Sequence, residues 1–269
     1  MLELIKKGEV AYIKSTLIKS RHGFSTRIGG FSKLDHTKSL NLAFGRGDER
    51  GVVIQNVHKF ADALNVDAKK IISVPQVHSN EVRLVSLDDA GAGVFCDALF
   101  SADGYVTEEN DLPIGVKTAD CVPILLEARS ENDDVIAVSA VHAGWRGTAL
   151  RIVENAINGL RSLGAKNENI YVAIGPAVDV CCYEVGSDFA NEINKKLGQN
   201  YENKFIKVQT DGSLYANIKG MNLEILRECG IPEANIEVSE YCTCCNPNLF
   251  YSHRGQKGIR GSMMSVICK

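Results

Sequence analysis

Two nearly continuous apolar runs, at residues 122–128 and 135–141, constrain the fold of this chain more than any other feature. A strand with one exposed face alternates apolar and polar residues, whereas an unbroken apolar run predicts a strand that is covered on both faces. The two runs close a β-rich stretch, whose earlier predicted strands lie at 70–75, 81–86, 104–107 and 114–117. We therefore predict a substantial sheet in the middle of the chain.

Helical patterns lie on either side of this stretch. Residues 49–64 carry apolar side chains at helical spacing, and Asp48 is the predicted N-cap of that helix. Further helices are predicted at 148–163, 188–197 and 214–228. This mixture predicts an α+β (mixed α/β) fold, with a β-sandwich-like mixed sheet core flanked by helices. Because neither a repeat nor a hinge is visible, we predict a single domain over 1–269.

The composition is that of an ordinary globular protein, with 45% hydrophobic and 23% charged residues. A net charge of −3 gives no reason to expect nucleic-acid binding, so a small-molecule partner is favoured. No apolar run approaches the length of a membrane helix, and the N-terminal residues lack the layout of a signal peptide. We expect a cytoplasmic protein with reduced cysteines, as a monomer or a weak homodimer.

Three short segments each present one soft-metal ligand at a predicted strand end, and these ligands are His78, Cys121 and His142. Two imidazoles and one thiol match the ligand set of a catalytic zinc, which keeps its fourth position for water or substrate. The segments are far apart in sequence, so only folding can bring them together. The alternative interpretation is a core cysteine and two hydrogen-bonded histidines, and each residue taken singly favours that alternative.

Residues beside these ligands indicate what chemistry the site would perform. Asp120 is a candidate for orienting a ligand or moving protons, with a turn cap as the alternative. Arg146 suits bidentate binding of phosphate or carboxylate, and its alternative is a surface arginine with a packed stem. Trp145, the only tryptophan, would either stack on a base or pack in the core.

A second polar, glycine-rich segment lies at 25–30. Ser25 and Arg27 in this segment could hold an anion beside backbone amides. Glycine pairs also form ordinary turns, and that interpretation stays open.

Two groups of cysteines lie in the C-terminal half, and neither is expected to bind metal. Cys242, Cys244 and Cys245 look like a metal knuckle. A structural zinc takes two ligand pairs, each with about two to four residues inside it. Because the adjacent Cys181 and Cys182 do not match that spacing, we expect no second metal here.

At its motifs the chain resembles a known family. The matching segments are 25–30, 39–42, 76–78, 118–123, 142–147, 175–177, 181–186 and 249–254, so the match spans nearly the whole chain. The family has long been labelled multicopper polyphenol oxidoreductase, or laccase-domain. It is now regarded as purine nucleoside phosphorylase with adenosine deaminase activity.

The resemblance implies a zinc held by His78, Cys121 and His142, with copper as the alternative metal. It implies phosphorolysis of adenosine, inosine, guanosine and methylthioadenosine, together with hydrolytic deamination of adenosine. Purine nucleosides and phosphate are then the partners. The residues assigned to catalysis are Asp120, Cys121 and Arg146, and those assigned to substrate binding are Arg27, Ser25, Asn41, Gln76 and Trp145.

The chain departs from many relatives near its C-terminal end. It has Gly261-Ser262-Met263 in place of a Gly-Arg-Met segment, and Arg254-Gly255 in place of paired arginines. We expect Arg260 to substitute spatially for the arginine that these changes remove.

Three other hypotheses compete with a zinc-dependent phosphorylase. In a cysteine hydrolase acting on an amide, such as a peptidoglycan precursor, Cys121 is the nucleophile and His142 or His78 its base. The older label implies a polyphenol oxidase, but oxidase copper chemistry needs more histidines than the six scattered along this chain. A metal-dependent binding protein would bind nucleoside without turnover.

Overall fold

The structure is a computed structural model that describes residues 2–269, in which the chain forms fourteen strands and six α-helices. The strands are β1 (Leu2–Lys7), β2 (Val10–Ser15), β3 (Arg21–Ser25), β4 (Val82–Leu84), β5 (Gly104–Thr107), β6 (Ile114–Thr118), β7 (Val122–Arg129), β8 (Val135–Ala143), β9 (Ile170–Ile174), β10 (Glu184–Val185), β11 (Ile206–Val208), β12 (Leu214–Ala216), β13 (Ile236–Val238) and β14 (Met263–Cys268). The helices are α1 (Arg50–Leu64), α2 (Trp145–Ala149), α3 (Ile152–Ser162), α4 (Ser187–Leu197), α5 (Gln199–Phe205) and α6 (Ile218–Glu228). None of these helices combines the length and the apolar character that a membrane crossing requires.

Two large sheets pack face to face at the centre of the protein. One contains five antiparallel strands in the order β1-β2-β3-β14-β6. The other contains six strands in the order β13-β9-β7-β8-β5-β4, with parallel pairs only at its two edges. A small third sheet has the order β10-β12-β11. The mixed α+β class with a sandwich-like core, predicted above, is confirmed.

The two apolar runs form β7 and β8, which are buried on both faces. Leu125 of β7 packs with Phe24 in the cluster between the two sheets, whereas its neighbour Ile124 belongs to the cluster beneath α3 and α6. On the far side of the five-stranded sheet, Phe60 of α1 packs against Val266 of β14. The protein therefore has four layers: α1, two sheets and a group of helices. The sites described below lie at one end of β7 and β8.

Two predicted helices are wrong in part. The predicted helix at 148–163 is two helices, because Arg151 adopts a left-handed backbone with φ of 58° between α2 and α3. The first residues of the predicted helix at 214–228 form β12, since they pair with β10 and β11, and α6 begins only at Ile218.

Two smaller predictions are also corrected. Residues 70–75 do not form a strand and contribute only an isolated bridge between Ile72 and Ile114. Glu49, and not Asp48, is the N-cap of α1, and it provides no side-chain cap. The Asp48 carboxylate instead accepts hydrogen bonds from Ser32, Thr37 and Asn41, so competing long-range donors displace the local capping bond.

Candidate metal centre and its two cavities

The β7–β8 pair brings two of the three predicted ligands together. Cys121 lies directly before β7, and His142 lies near the end of β8. The antiparallel register places Val122 opposite Ala143 and Pro123 opposite His142, so the thiol and the imidazole meet at the same end of the pair. His142 is buried, whereas the Cys121 side chain is half-buried and faces a cavity.

The third ligand lies on a loop that a buried carboxylate holds in place. His78 has a left-handed backbone with φ of 60°, a strained conformation for a residue with a side chain. The Asp103 carboxylate compensates, because it accepts hydrogen bonds from the backbone amides of Val77, His78 and Ser79 at 2.7–3.2 Å. It also accepts from the Ser79 hydroxyl at 2.8 Å.

The structure brings the three predicted ligands together. One donor atom from each of His78, Cys121 and His142 lies within 4.8 Å of the other two. The Cys121 Sγ is 3.9 Å from the His78 Nε2. This close approach depends on Gly144, since a Cβ at that position would lie 2.8 Å from the His78 Cδ2 and 3.4 Å from the Cys121 Sγ.

Asp103 also orients His142. The His142 Nδ1 donates to the Asp103 Oδ1 at 2.8 Å, which leaves the His142 Nε2 as the donor for a metal. Metal-binding histidines usually have such a carboxylate behind them. Asp103 is not among the residues predicted from the sequence, which pointed to Asp120 for this role. No local motif marks Asp103, because its function arises only when β5 pairs with β8.

The electrostatics of the three residues fit a bound cation. Burial alone would raise the pKa of the Cys121 thiol, but the neighbouring His142 and His78 lower it to about 6. Burial opposes protonation of His142, but the Cys121 charge and the Asp103 hydrogen bond raise its pKa to about 9. A thiolate beside a proton-holding imidazole is a site in which a metal cation can replace the proton. The donor set suits zinc and copper alike.

A basic cavity of about 340 Å³ opens beside the ligands. Its lining combines the three ligands with the basic side chains of Arg46, Lys117 and Arg260. Among the described residues, no hydrogen-bond partner exists for the buried Nε atoms of Arg46 and Arg260. Burial and the nearby Arg46 charge lower the pKa of Arg260 to about 10, and burial lowers the pKa of Lys117 to about 8. Unpaired donors and repelling cations together favour a bound anion.

An aromatic cavity, also of about 340 Å³, shares His78, Cys121 and Arg260 with the basic cavity. Its own lining includes Asp120, Trp145, Arg146 and Tyr183. Phe189 braces both rings, with its centroid 5.3 Å from that of Trp145 and 5.9 Å from that of Tyr183. The Arg146 guanidinium lies 4.3 Å above the Trp145 ring. Sequence reasoning identified Trp145 and Arg146 but missed Tyr183.

Asp120 joins the turn before β7 to two other loops. It has a strained backbone φ of 92°. Its Oδ1 accepts from the Thr243 hydroxyl and its Oδ2 from the Arg254 backbone amide, both at 2.6 Å. Asp120 therefore holds the wall of the aromatic cavity. This arrangement is closer to the turn cap that was the alternative interpretation than to the orientation of a metal ligand.

Two of the predicted substrate-binding residues are buried and occupied by structural hydrogen bonds. The Ser25 Oγ accepts from the Met264 backbone amide at 3.0 Å. The Asn41 Oδ1 accepts from the Ser262 amide at 3.0 Å, and its Nδ2 donates to Asp48 at 2.8 Å. Neither residue is part of the lining of the basic or the aromatic cavity.

Of the other three predicted substrate-binding residues, Trp145 lines the aromatic cavity, and Arg27 and Gln76 have mixed outcomes. The Arg27 guanidinium donates to the Lys38 and Pro247 carbonyls at 2.8 and 2.9 Å, outside both cavities. Gln76 lines the basic cavity, although both ends of its amide pair with the Lys117 backbone at 2.7–2.8 Å. Arg260, the expected substitute near the C-terminal end, lines both cavities.

The cysteines that were not expected to form a second site do lie together. The Sγ atoms of Cys181, Cys182, Cys242 and Cys245 are all within 4.8 Å of one another. Spacing along the chain concealed this arrangement, because two separate loops contribute one pair each.

The fold and these residues define a layered α+β protein in which a candidate metal-binding group adjoins a basic and an aromatic cavity. The chain belongs to the family described as multi-copper polyphenol oxidoreductase laccase, whose model matches residues 21–269. This match confirms the family that the motifs predicted.

Characterised relatives cover most of the chain. It is 34% identical to the purine nucleoside phosphorylase YlmD of Geobacillus stearothermophilus, over 91% of this chain and 88% of that protein. It is 31% identical to the adenosine deaminase RL5 of an unknown prokaryotic organism, over 93% of this chain and 94% of that protein. The crystal structure of the Bacillus licheniformis hypothetical protein YfiH matches with a TM-score of 0.90 and 31% identity, covering 99% of this chain and 98% of that one. The first two names agree with the activities that the resemblance implied.

Proposed function

We propose that this protein is a zinc-dependent purine nucleoside phosphorylase that also deaminates adenosine. Its substrates would be adenosine, inosine, guanosine, S-methyl-5'-thioadenosine and inorganic phosphate. One observation carries the proposal: a set of two imidazoles and one thiolate lines a basic cavity, and two of its members, His78 and Cys121, also line an aromatic cavity. The names of the two relatives support the same pair of activities. Zinc held by His78, Cys121 and His142 would supply a Lewis acid and lower the pKa of a bound water.

Phosphate would bind in the basic cavity. Arg46 and Arg260 each have a buried Nε without a partner, and an oxyanion accepts from such donors. The bound anion would also relieve the repulsion between the two guanidinium groups. Lys117 adds a third positive charge, since its Nζ reaches the cavity while donating to the Ser73 carbonyl at 2.9 Å. This assignment replaces Arg27, whose guanidinium is already bonded to carbonyls.

The purine would bind in the aromatic cavity, where Trp145 and Tyr183 offer ring faces braced by Phe189. Arg146, which is stacked over Trp145, would bind a substrate oxygen or nitrogen at the open side. Asp120, whose carboxylate Thr243 and Arg254 keep in place at the cavity wall, would be the group that moves protons to or from the substrate. Charge that develops on the ribose and the departing base would be stabilised by these fixed groups.

Metal analysis paired with an activity assay tests the proposal. Zinc would be measured by mass spectrometry in the wild type, in Cys121→Ala and in Cys96→Ala, whose exposed thiol lies outside both cysteine groups. Release of hypoxanthine from inosine in phosphate buffer would be measured on the same samples. We expect Cys121→Ala to lose one zinc per chain together with base release, and Cys96→Ala to retain both. Full activity in a folded Cys121→Ala protein would overturn the proposal.

A second candidate function is a cysteine-type amide hydrolase acting on a peptidoglycan precursor. The observation that favours it is the lowered pKa of Cys121 beside His142, which is how a nucleophilic thiol is activated. The two functions respond oppositely to chelation. A zinc enzyme loses activity and exposes Cys121 to alkylation, whereas a cysteine hydrolase keeps its activity and is inhibited by alkylation without any chelator.

A polyphenol oxidase is less favoured. Among the described residues, one group brings histidine and cysteine side chains close together, whereas multicopper oxidation requires several copper sites.

We further propose that 1–269 act as one domain, because the lining of the basic cavity draws on residues from 43 to 262. We place the protein in the cytoplasm, where cysteines stay reduced, and a monomer or weak homodimer is our working assembly.

A further inference from the structure

Two loops bring four cysteines together beside the aromatic cavity. The first loop follows β9 and carries Cys181 and Cys182, and the second follows β13 and carries Cys242 and Cys245. A parallel bridge between Ala177 and Cys242 joins the loops, and the Thr243 amide donates to the Ala177 carbonyl at 3.0 Å. The closeness of the sulfur atoms therefore follows from the backbone pairing of the two loops.

The sulfur atoms have the spacing of a tetrahedral metal site. The Cys245 Sγ is 3.4 Å from the Cys181 Sγ and 3.3 Å from the Cys182 Sγ, and all four sulfur atoms lie within 4.8 Å of one another. Zinc–sulfur bonds of about 2.3 Å in a tetrahedron place sulfur atoms about 3.8 Å apart. Small side-chain rotations would bring the four sulfur atoms to this separation.

The surroundings also resemble those of a bound thiolate. The Asp179 backbone amide donates to the Cys242 Sγ at 3.4 Å. Such N–H donors reduce the cost of concentrating negative charge on sulfur. The spacing Cys242-Thr243-Cys244-Cys245 contributes one ligand pair with two intervening residues, as in known zinc knuckles.

A buried lysine ties the same two loops at their bases. The Lys219 Nζ, on α6, lies 2.7 Å from the Asp179 carboxylate of the first loop. It also donates to the carbonyls of Ser239 and Tyr241, at the start of the second loop, at 2.8 and 3.3 Å. The backbone of each loop is thus held close to the other before any ion binds, so little rearrangement is needed to complete a site.

We propose that Cys181, Cys182, Cys242 and Cys245 bind one structural zinc ion, which fastens the two loops to each other. Tyr183 of the aromatic cavity directly follows Cys182, and Thr243, which holds Asp120, directly follows Cys242. The ion would therefore fix one wall of the aromatic cavity without contacting a substrate. The proposal stands on the cysteine geometry and does not depend on the activity of the first metal centre.

Zinc stoichiometry tests the site independently of the function. We would purify the full chain without chelator or a metal-binding tag and measure zinc in four proteins: wild type, Cys121→Ala, Cys245→Ser and the control Cys96→Ser. The expected values are two, one, one and two zinc ions per chain. Cys121→Ala tests the metal site of the proposed function, and Cys245→Ser tests the four-cysteine site. The two proposals can therefore be contradicted independently of each other.

Cobalt substitution keeps the test decisive if Cys245→Ser folds poorly. In folded Cys121→Ala, Co(II) bound at the four cysteines should give the intense absorption of a tetrahedral tetrathiolate, and stoichiometric zinc should abolish it. The proposal is overturned if Co(II) gives no such bands, or if zinc content is unchanged by Cys245→Ser. It is equally overturned if the wild type holds iron there, or if thiol titration under non-reducing conditions shows these cysteines paired as disulfides.

Discussion

Asp103 contacts His142 twice: its Oδ1 lies 2.8 Å from the imidazole Nδ1, and its backbone oxygen lies 2.7 Å from the His142 amide nitrogen. The same carboxylate accepts the amide of His78 at 3.0 Å. Hydrogen bonds from His142 and Ser79 outweigh the effect of burial and lower the pKa of Asp103 to about 2. The Asp103 carboxylate is therefore ionised at neutral pH. One carboxylate therefore positions two of the three proposed metal ligands.

Replacing Asp103 with asparagine should weaken the metal centre. The amide group of Asp103→Asn would present N–H donors to the backbone amides of the 77–79 segment, which need acceptors. We expect zinc affinity to fall about 10- to 100-fold, as is usual when the partner of a metal-binding histidine is lost. Competition with a chromogenic chelator measures this change. Asp97→Asn, at an exposed carboxylate, is the matched control, and equal affinities of the two variants would contradict the role of Asp103.

Gly144→Ala should disrupt the site through one methyl group. The backbone at Gly144 has φ of −66° and ψ of 166°, which alanine adopts freely, so the effect is steric. The new Cβ would meet the His78 ring at 2.8 Å and displace it. We expect the kcat of inosine phosphorolysis to fall on the order of 10- to 100-fold.

Gly51→Ala is the control for this substitution. Gly51 lies at the start of α1, and a Cβ there would meet nothing within 4 Å. Alanine is the better helix former, so stability should stay the same or rise by up to about 1 kcal/mol, with unchanged activity. If Gly144→Ala behaved in the same way as Gly51→Ala, the close packing of His78 against Gly144 would be irrelevant to function.

Arg46→Ala should separate the two proposed activities. The Arg46 guanidinium lines the basic cavity but not the aromatic one. Loss of a charge-assisted hydrogen bond costs about 2 kcal/mol, which corresponds to a roughly 30-fold higher KM for phosphate in phosphorolysis. Adenosine deamination uses water and no phosphate, so its kcat/KM should fall far less. Steady-state assays of both reactions measure this difference, and Arg83→Ala, at an exposed arginine, is the control. If Arg46→Ala lowered the kcat/KM of both reactions by the same factor, a phosphate-specific role of Arg46 would be refuted.

The pH dependence of stability should report on His22. Its Nδ1 donates to the Ser20 carbonyl at 2.7 Å, and its Nε2 accepts from the Ser15 amide at 2.9 Å, so the buried ring is neutral. Burial lowers its pKa from 6.5 to about 4. As the pH falls, His22 takes up a proton in the unfolded chain before it does so in the folded protein. The free energy of unfolding therefore decreases between about pH 6.5 and about pH 4.

This loss amounts to roughly 3 kcal/mol, and a non-titrating side chain should abolish it. His22→Gln is expected to be less stable than the wild type at pH 7.5, with a shallower decline between pH 6.5 and pH 4. Urea unfolding of both proteins across this range gives the difference in slope, because carboxylates common to the two cancel. Identical slopes would show that His22 has the same pKa in the folded and the unfolded protein, which would contradict its burial as a neutral ring.

The sequence predicts an element correctly where its local apolar pattern matches its burial in the fold. The apolar runs became β7 and β8 because strands buried on both faces must be apolar throughout, and the ligands at their ends meet because the register joins them. Local pattern failed where distant partners decide the outcome. The sequence pattern at 214–228 predicts a helix that begins at Leu214, but Leu214 pairs in a sheet with Val185 and Val208.

Residues that gain their role only through the tertiary fold could not be predicted. Asp103 has an ordinary context in the sequence, and its importance comes from the loop and the strand that converge on it. Arg46 lies in a glycine-rich stretch and becomes notable only because its Nε is buried without a partner. The adjacent cysteines at 181 and 182 have no recognised spacing, and the second loop completes their cluster.

The β7–β8 hairpin has one end that can vary in length and one that cannot. The turn at 131–134 is exposed and follows a bulge between Ala128 and Arg129, so inserted residues there would leave the register of the strands unchanged. Deleting one residue within β8 would turn the His142 side chain to the opposite face of the sheet. Natural length variation, or a fluorescent tag for following ligand binding, therefore belongs at this turn, where it would leave the proposed metal ligands undisturbed.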